Sequence, residues 1–182
     1  MRNIELLDLS IAHYSRMREF VLRLSENEIK ELYIYPVEFL YKLYKKMYSQ
    51  IGEGWHGKDC SLCNNYFKEV REQHEVKIKC TKCPLDELGY NCKEKNSVWN
   101  KLNESRDIDK WLSNAERMIE LLCFAKKEYE EKAKQKEKYL LKKNIKNIKA
   151  VITTLSDTKK SMKSLLKSLK ENHKCQGKPI SN

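Results

Sequence analysis

Apolar residues recur every three or four positions through most of this chain, the spacing that gathers them on one side of a helix. Over residues 4–24 the series is Leu7, Ile11, Tyr14, Met17, Val21 and Leu24, and it predicts an amphipathic helix. Ser25-Glu26-Asn27-Glu28 has capping-box spacing, so a second short helix is expected to start there and run through Leu32. Pro36 ends it and suits the first turn of a third helix. That helix would turn Val37, Leu40, Tyr41, Tyr44, Met47, Tyr48 and Ile51 to one broad face before Gly52-Glu53-Gly54 stops it. The stripe Tyr41, Tyr44, Tyr48 could stack on bases or fill a core, and its helical spacing favours the core.

The texture changes between Trp55 and Trp99, where five cysteines, two histidines, Pro84 and Gly89 fall close together. Residues 64–74 read as one short helix. Val76-Lys77-Ile78-Lys79 alternates with period two and predicts a strand leading into Cys80. Helical spacing resumes after Asp107, an acid in the first turn as the helix dipole prefers, with Trp111, Ala115, Met118, Leu122, Ala125 and Tyr129. A polar run over 130–138 follows. The pattern then restarts as Leu141, Ile145, Ile148, Ile152, Leu155, Met162, Leu166 and Leu169, four heptads with Lys159 as the polar seam position. The two registers differ by two residues, which predicts a bend or a hairpin between them. The expected fold is mostly α-helical. An N-terminal helical block (1–54) precedes a cysteine-rich knuckle (55–99), a long helix or helical hairpin with coiled-coil character (100–174) and a disordered tail (175–182).

Composition supports that class. Only five glycines and three prolines in 182 residues leave too few tight turns for a β-sandwich or barrel. No apolar run approaches the length of a membrane span. Glu5 and Asp8 stand where a signal peptide needs an apolar block. The expected compartment is therefore a reducing cytoplasm, where cysteines serve as metal ligands or spare thiols rather than disulfides.

The net charge of +11 is unevenly placed. Residues 1–125 carry 20 basic and 20 acidic groups, whereas 126–182 carry 17 lysines against 6 acids. A neutral body with a basic helical end suits an acidic protein surface or a nucleic acid, unless the lysines are simply a solvated face. With Ile145, Ile152 and Leu166 at heptad position a, the e positions include Lys142, Lys149, Lys163 and Lys170. An antiparallel homodimer would set these lysines against one another, and a parallel one would pair them with neutral residues. Lys142, Lys149, Lys163 and Lys170 are accordingly the candidate contacts for an acidic partner. Nucleic acid is the alternative. It would bind without sequence specificity, because the basic segment has no arginine for bidentate base readout.

One strong chemical motif is present. Cys60-Ser-Leu-Cys63 is followed, sixteen residues on, by Cys80-Thr-Lys-Cys83. Each C-x2-C pair can offer two thiolates to one ion, and two pairs complete a tetrahedron within the spacing usual for structural zinc. Cys60, Cys63, Cys80 and Cys83 are the leading ligands for Zn²⁺, with Cys92 or His56 as possible substitutes. Lys58, Lys79, Lys82, Lys93 and Lys95 lie near enough in sequence to offset the charge of four thiolates. A closed four-sulfur site would hold the fold and leave no open position for water. Cys123 falls in the apolar run Leu121-Leu122-Cys123-Phe124 and reads as a buried thiol.

Phosphate-cradling glycine loops, G-x-S-x-G and H-E-x-x-H are absent from the sequence, and no histidine sits beside an evident nucleophile. These features predict a non-enzymatic protein with no small-molecule substrate. The run from Cys60 to Trp99, with its C-P-hydrophobic step at Cys83-Pro84-Leu85, Gly89, Cys92 and Ser97-Val98-Trp99, resembles small cysteine-rich zinc-binding proteins of tailed phages and prophages over residues 60–125. The resemblance implies a zinc-stabilised adaptor acting in a bacterial host cell, and inhibition of a host defence factor such as a nucleic-acid-guided nuclease as one natural role. It implies no catalytic activity.

Overall fold

A computed structural model describes residues 2–55, 59–72, 75–80, 83–90, 92 and 94–176, and for residues 36, 67–72, 75–80 and 172–176 it describes the backbone. The protein is mostly helical. It divides into two compact units, Met1–Glu131 and Lys132–Asn182.

The first unit begins with α1 (Arg2–Leu22), which buries Leu7, Tyr14, Met17 and Val21 as its periodicity predicts. Ser25 then caps α2 (Glu26–Tyr33): its hydroxyl accepts from the Glu28 amide, and the Glu28 carboxylate accepts from the Ser25 amide at 2.8 Å. This reciprocal pair satisfies two amides that helix geometry leaves without partners. Pro36–Glu38 forms a single 3-10 turn, and α3 (Phe39–Ile51) starts after it. The tighter turn shifts the helical phase, so the expected face is corrected. Phe39, Leu43 and Met47 are buried, while Val37 is fully exposed and Tyr41, Tyr48 and Ile51 are exposed. Tyr44 is half-buried, stacked on Tyr48 and edge-on to Trp55. Gly52 ends α3 at φ 68°, a left-handed position that favours glycine, and its amide donates to the Tyr48 carbonyl.

Next come α4 (Ser61–Tyr66) and an antiparallel hairpin, β1 (Phe67–Glu72) with β2 (Glu75–Cys80), in which Phe67 pairs with Cys80. The helix expected over 64–74 therefore stops at Tyr66. The alternating stretch before Cys80 is a strand, and it takes residues 67–72 as its partner. Two short helices follow, α5 (Pro84–Glu87) and α6 (Val98–Asn103), the latter capped by the Ser97 hydroxyl.

The long helix α7 (Ile108–Gln176) opens with Asp107 accepting from the Lys110 amide. Within the first unit it buries Ile108, Trp111, Ala115, Met118, Leu122 and Ala125. Pairs Arg18–Glu116 and Asp8–Lys126 run in opposite order along the two helices, so this part of α7 lies antiparallel to α1. The core is shared by α1, α3, α4 and α7, with Trp55 and Trp111 in contact at 5.5 Å between ring centres. Each such side chain contributes roughly 1.5–3 kcal/mol on full burial. Cys123, expected inside, is exposed: its neighbours Leu122 and Ala125 take the inward positions one helical step away.

The second unit is the rest of α7. The polar run 130–138 contains no glycine or proline, and the helix continues through it as a single element with no hairpin. It extends through Gln176, which includes the first two residues of the stretch expected to be disordered; residues 177–182 lie outside the described residues.

Candidate functional site

Two of the four leading cysteines meet at the start of α4. Cys60 precedes the helix and Cys63 stands in its first turn, three residues apart and so on one face. The site is fastened from α1. Buried Ser10 donates to the Leu6 carbonyl at 2.9 Å, accepts the Leu62 amide at 3.3 Å, and has its oxygen 3.8 Å from the Cys60 sulfur. A serine 52 residues upstream thus joins the Cys60 sulfur in capping the first turn of α4.

Cys83 is the N-cap of α5, with Pro84 at the first helical position, and both are buried. The chain then turns at Gly89, whose φ of 83° again favours glycine, and reaches Cys92. The Cys92 carbonyl accepts from the Ser97 hydroxyl at 2.7 Å, and that hydroxyl also caps α6 by accepting the Asn100 amide at 3.1 Å. Next along α6, the Trp99 indole donates to the Trp55 carbonyl at 3.0 Å. This segment is therefore tied to the core at both backbone and side chain.

Cys60, Cys63, Cys83 and Cys92 all line one cavity of about 20 Å³, whose other walls include Tyr14, Leu62, Tyr66, Trp99 and Met118. The surroundings favour the thiolate form of Cys60. The Cys63 side chain is the largest influence, and with the Cys63 amide, Ser10 and the Leu62 amide it brings the thiol down from 9.0 to about 6, against the upward push of burial. Tyr14 moves the other way. Burial first, then negative charge at Cys60, Cys92, Cys63 and Asp59, holds its phenol well above the usual value, so it stays protonated.

Sulfur donors, a depressed thiol and an enclosed apolar wall match what a soft divalent ion requires. Among the described residues, however, no group of three or more His, Cys, Asp or Glu stands as a preformed metal cage. The side chain of Cys80 lies outside the described residues, as do His56, Lys58, Lys82, Lys93 and the Lys79 side chain. Of the lysines expected to offset the thiolates, Lys95 is described, and it is exposed.

The second unit presents a different surface. Leu141, Ile145, Ile148, Ile152, Leu155, Met162, Leu166 and Leu169 are all exposed, Leu155 to 64%. Lys142, Lys149, Lys163 and Lys170 are exposed along the same helix. Among the described residues no helix is long and apolar enough to cross a membrane.

Sequence reasoning missed Ser10 and the part-buried His13–Glu53 contact at 3.2 Å, because Ser10 and His13 sit on an otherwise ordinary helix and their partners are 40 or more positions away. A scan against protein-family models matches none, and comparisons with curated proteins and with solved structures likewise give no match.

Proposed function

We propose that this chain is a non-enzymatic binding protein that acts through protein–protein contact, with the exposed face of residues 141–170 as its contact surface and an acidic protein as its partner. The observation that carries this reading is a ladder of eight large apolar side chains, all exposed, on a helix bearing 14 lysines against 3 acids from Lys132 to Gln176. Burying such a stripe is favourable by roughly 0.8 kcal/mol per methylene, while its lysines repel a second copy and attract an acidic helix. Structural zinc, held by thiolates of the first unit, supports the fold that carries this helix. The likeness to cysteine-rich phage proteins makes a bacterial defence factor a natural class of partner.

The test uses the full chain and three labelled probes: an amphipathic helical peptide with Leu at a and d and Glu at e and g, its Lys-for-Glu counterpart, and a short DNA duplex. Preferential binding of the acidic peptide at physiological salt, transferred to the Lys counterpart by the four reversals Lys142→Glu, Lys149→Glu, Lys163→Glu and Lys170→Glu, supports the reading. Binding confined to DNA, falling steeply with salt, would replace it with a nucleic-acid function. Acidic-peptide binding that survives all four reversals shows that these lysines are a solvated face.

A further inference from the structure

We infer that Lys159 selects the partner: the helix that covers the apolar stripe presents one carboxylate inside the seam, facing Lys159. The inference rests on the contact-face reading above and names what that partner must carry. Lys159 is the polar residue of a seam otherwise built of Leu, Ile and Met. It stands one heptad from Ile152 and from Leu166, and beside Leu155 and Met162 at helical spacing. These four neighbours are 56–64% exposed, and Lys159 is exposed with them. A helix seated on the four must also cover Lys159.

Covering an ammonium strips its water, and an opposite charge is what offsets the loss. The helix has no acid of its own within reach of the seam position. Three and four residues away stand Leu155, Ser156, Met162 and Lys163, one basic and none acidic. Asp157 is two residues back, on the far side of the helix, and pairs with Lys160 at 3.5 Å. The counter-charge has to come from the covering helix. A second copy of this chain is the wrong occupant. In parallel it would set Lys159 against Lys159, and antiparallel it would oppose the flanking lysines Lys142, Lys149, Lys163 and Lys170. A single polar residue at position a fixes register, because sliding the partner by one heptad would strand both charges among apolar side chains.

The experiment uses the full chain and three labelled helical peptides with Glu along both flanks. One has leucine at every seam position. The other two replace a single seam leucine with Glu, at the position facing Lys159 in a parallel or in an antiparallel pairing. One of these two should bind the parent chain at least about 10-fold more tightly than the all-leucine peptide at physiological salt. Lys159→Met keeps the side chain's length and removes its charge, so it should reverse that order while helicity by circular dichroism stays the same. Lys159→Glu should transfer the preference to a peptide with Lys at the same seam position. A parent chain that binds the all-leucine peptide as tightly as the others overturns the inference, since Lys159 then reaches water past its partner. So does a preference that Lys159→Met leaves unchanged, or a parent chain that sediments as a dimer through this face. A monomeric parent chain that binds none of the three defeats the contact-face reading itself, a result distinct from a partner selected by other residues.

Discussion

Replacing Ser10 with alanine removes one oxygen atom from the junction between α1 and α4. Ser10 is fully buried, and its hydroxyl is the acceptor for the Leu62 amide at 3.3 Å. That amide lies at the start of α4, where no intrahelical carbonyl can reach it. Ser10→Ala leaves it only the Cys60 sulfur, a weak acceptor, at a cost of about 1–3 kcal/mol. Alanine is the better helix former by about 0.5 kcal/mol, so the net loss should be roughly 0.5–2.5 kcal/mol. For a chain of this size about 1 kcal/mol moves Tm by roughly 2–4 °C, which sets the expected fall at about 1–10 °C. The assay is thermal unfolding of the full chain followed by circular dichroism, with Ser168→Ala as the control. Ser168 makes the same kind of hydroxyl-to-carbonyl bond within its helix, to Ser164 at 3.2 Å, but is exposed. Its replacement should leave Tm within a degree or so. An unchanged Tm in Ser10→Ala, or a fall no larger than the control's, would show that Ser10 does not hold the cysteine turn against α1.

Leu43→Ala, in a fully buried position, should cost about 2–5 kcal/mol in denaturant unfolding, whereas Val37→Ala at a fully exposed one should change it by less than about 0.5 kcal/mol; the reverse order would mean the face of α3 is misassigned. Gly54→Ala places a methyl 2.1 Å from the Tyr44 ring, so that ring must give way, and a loss of about 1–3 kcal/mol is expected in the same assay. Ser25 and Lys46 hold the Glu28 carboxyl down to about 2 from 4.5, the Ser25 amide foremost. Its folded value lies below its unfolded one, so the contribution is present above pH 4.5 and is lost as pH falls towards 2. A carboxyl-carbon NMR titration should find Glu28 near 2 in the parent chain and raised only part of the way in Ser25→Gly, which removes the hydroxyl but keeps the amide, the larger influence; a midpoint near 4.5 in the parent would discredit the capping box.

The long helix shows what periodicity can and cannot decide. A two-residue step between apolar registers predicts a bend only if both stripes must meet the same surface. Here the first stripe, Trp111 to Ala125, is buried in the core of its own unit, while the second, Leu141 to Leu169, is exposed. The step then imposes no break, and local propensity decides: 130–138 is rich in Glu, Lys, Gln and Ala, all good helix formers, and the helix runs on. The third helix fails for the opposite reason. Pro36 fits the first turn of either an α-helix or a 3-10 turn, and the chain takes the latter. Phe39, Leu43 and Met47, each four residues from the next, then form the inward row that the broader pattern hid. The cysteines divide in the same way. Spacing finds C-x2-C pairs because both thiols come from one turn, which is a local property. Cys92 is brought to the same cavity by a glycine turn, a serine bond to its carbonyl and a tryptophan anchored 44 residues away. A side chain positioned by tertiary contacts leaves no fixed spacing in the sequence. That is why Cys92 reads there as a spare and in the fold as a neighbour of the three cysteines it joins.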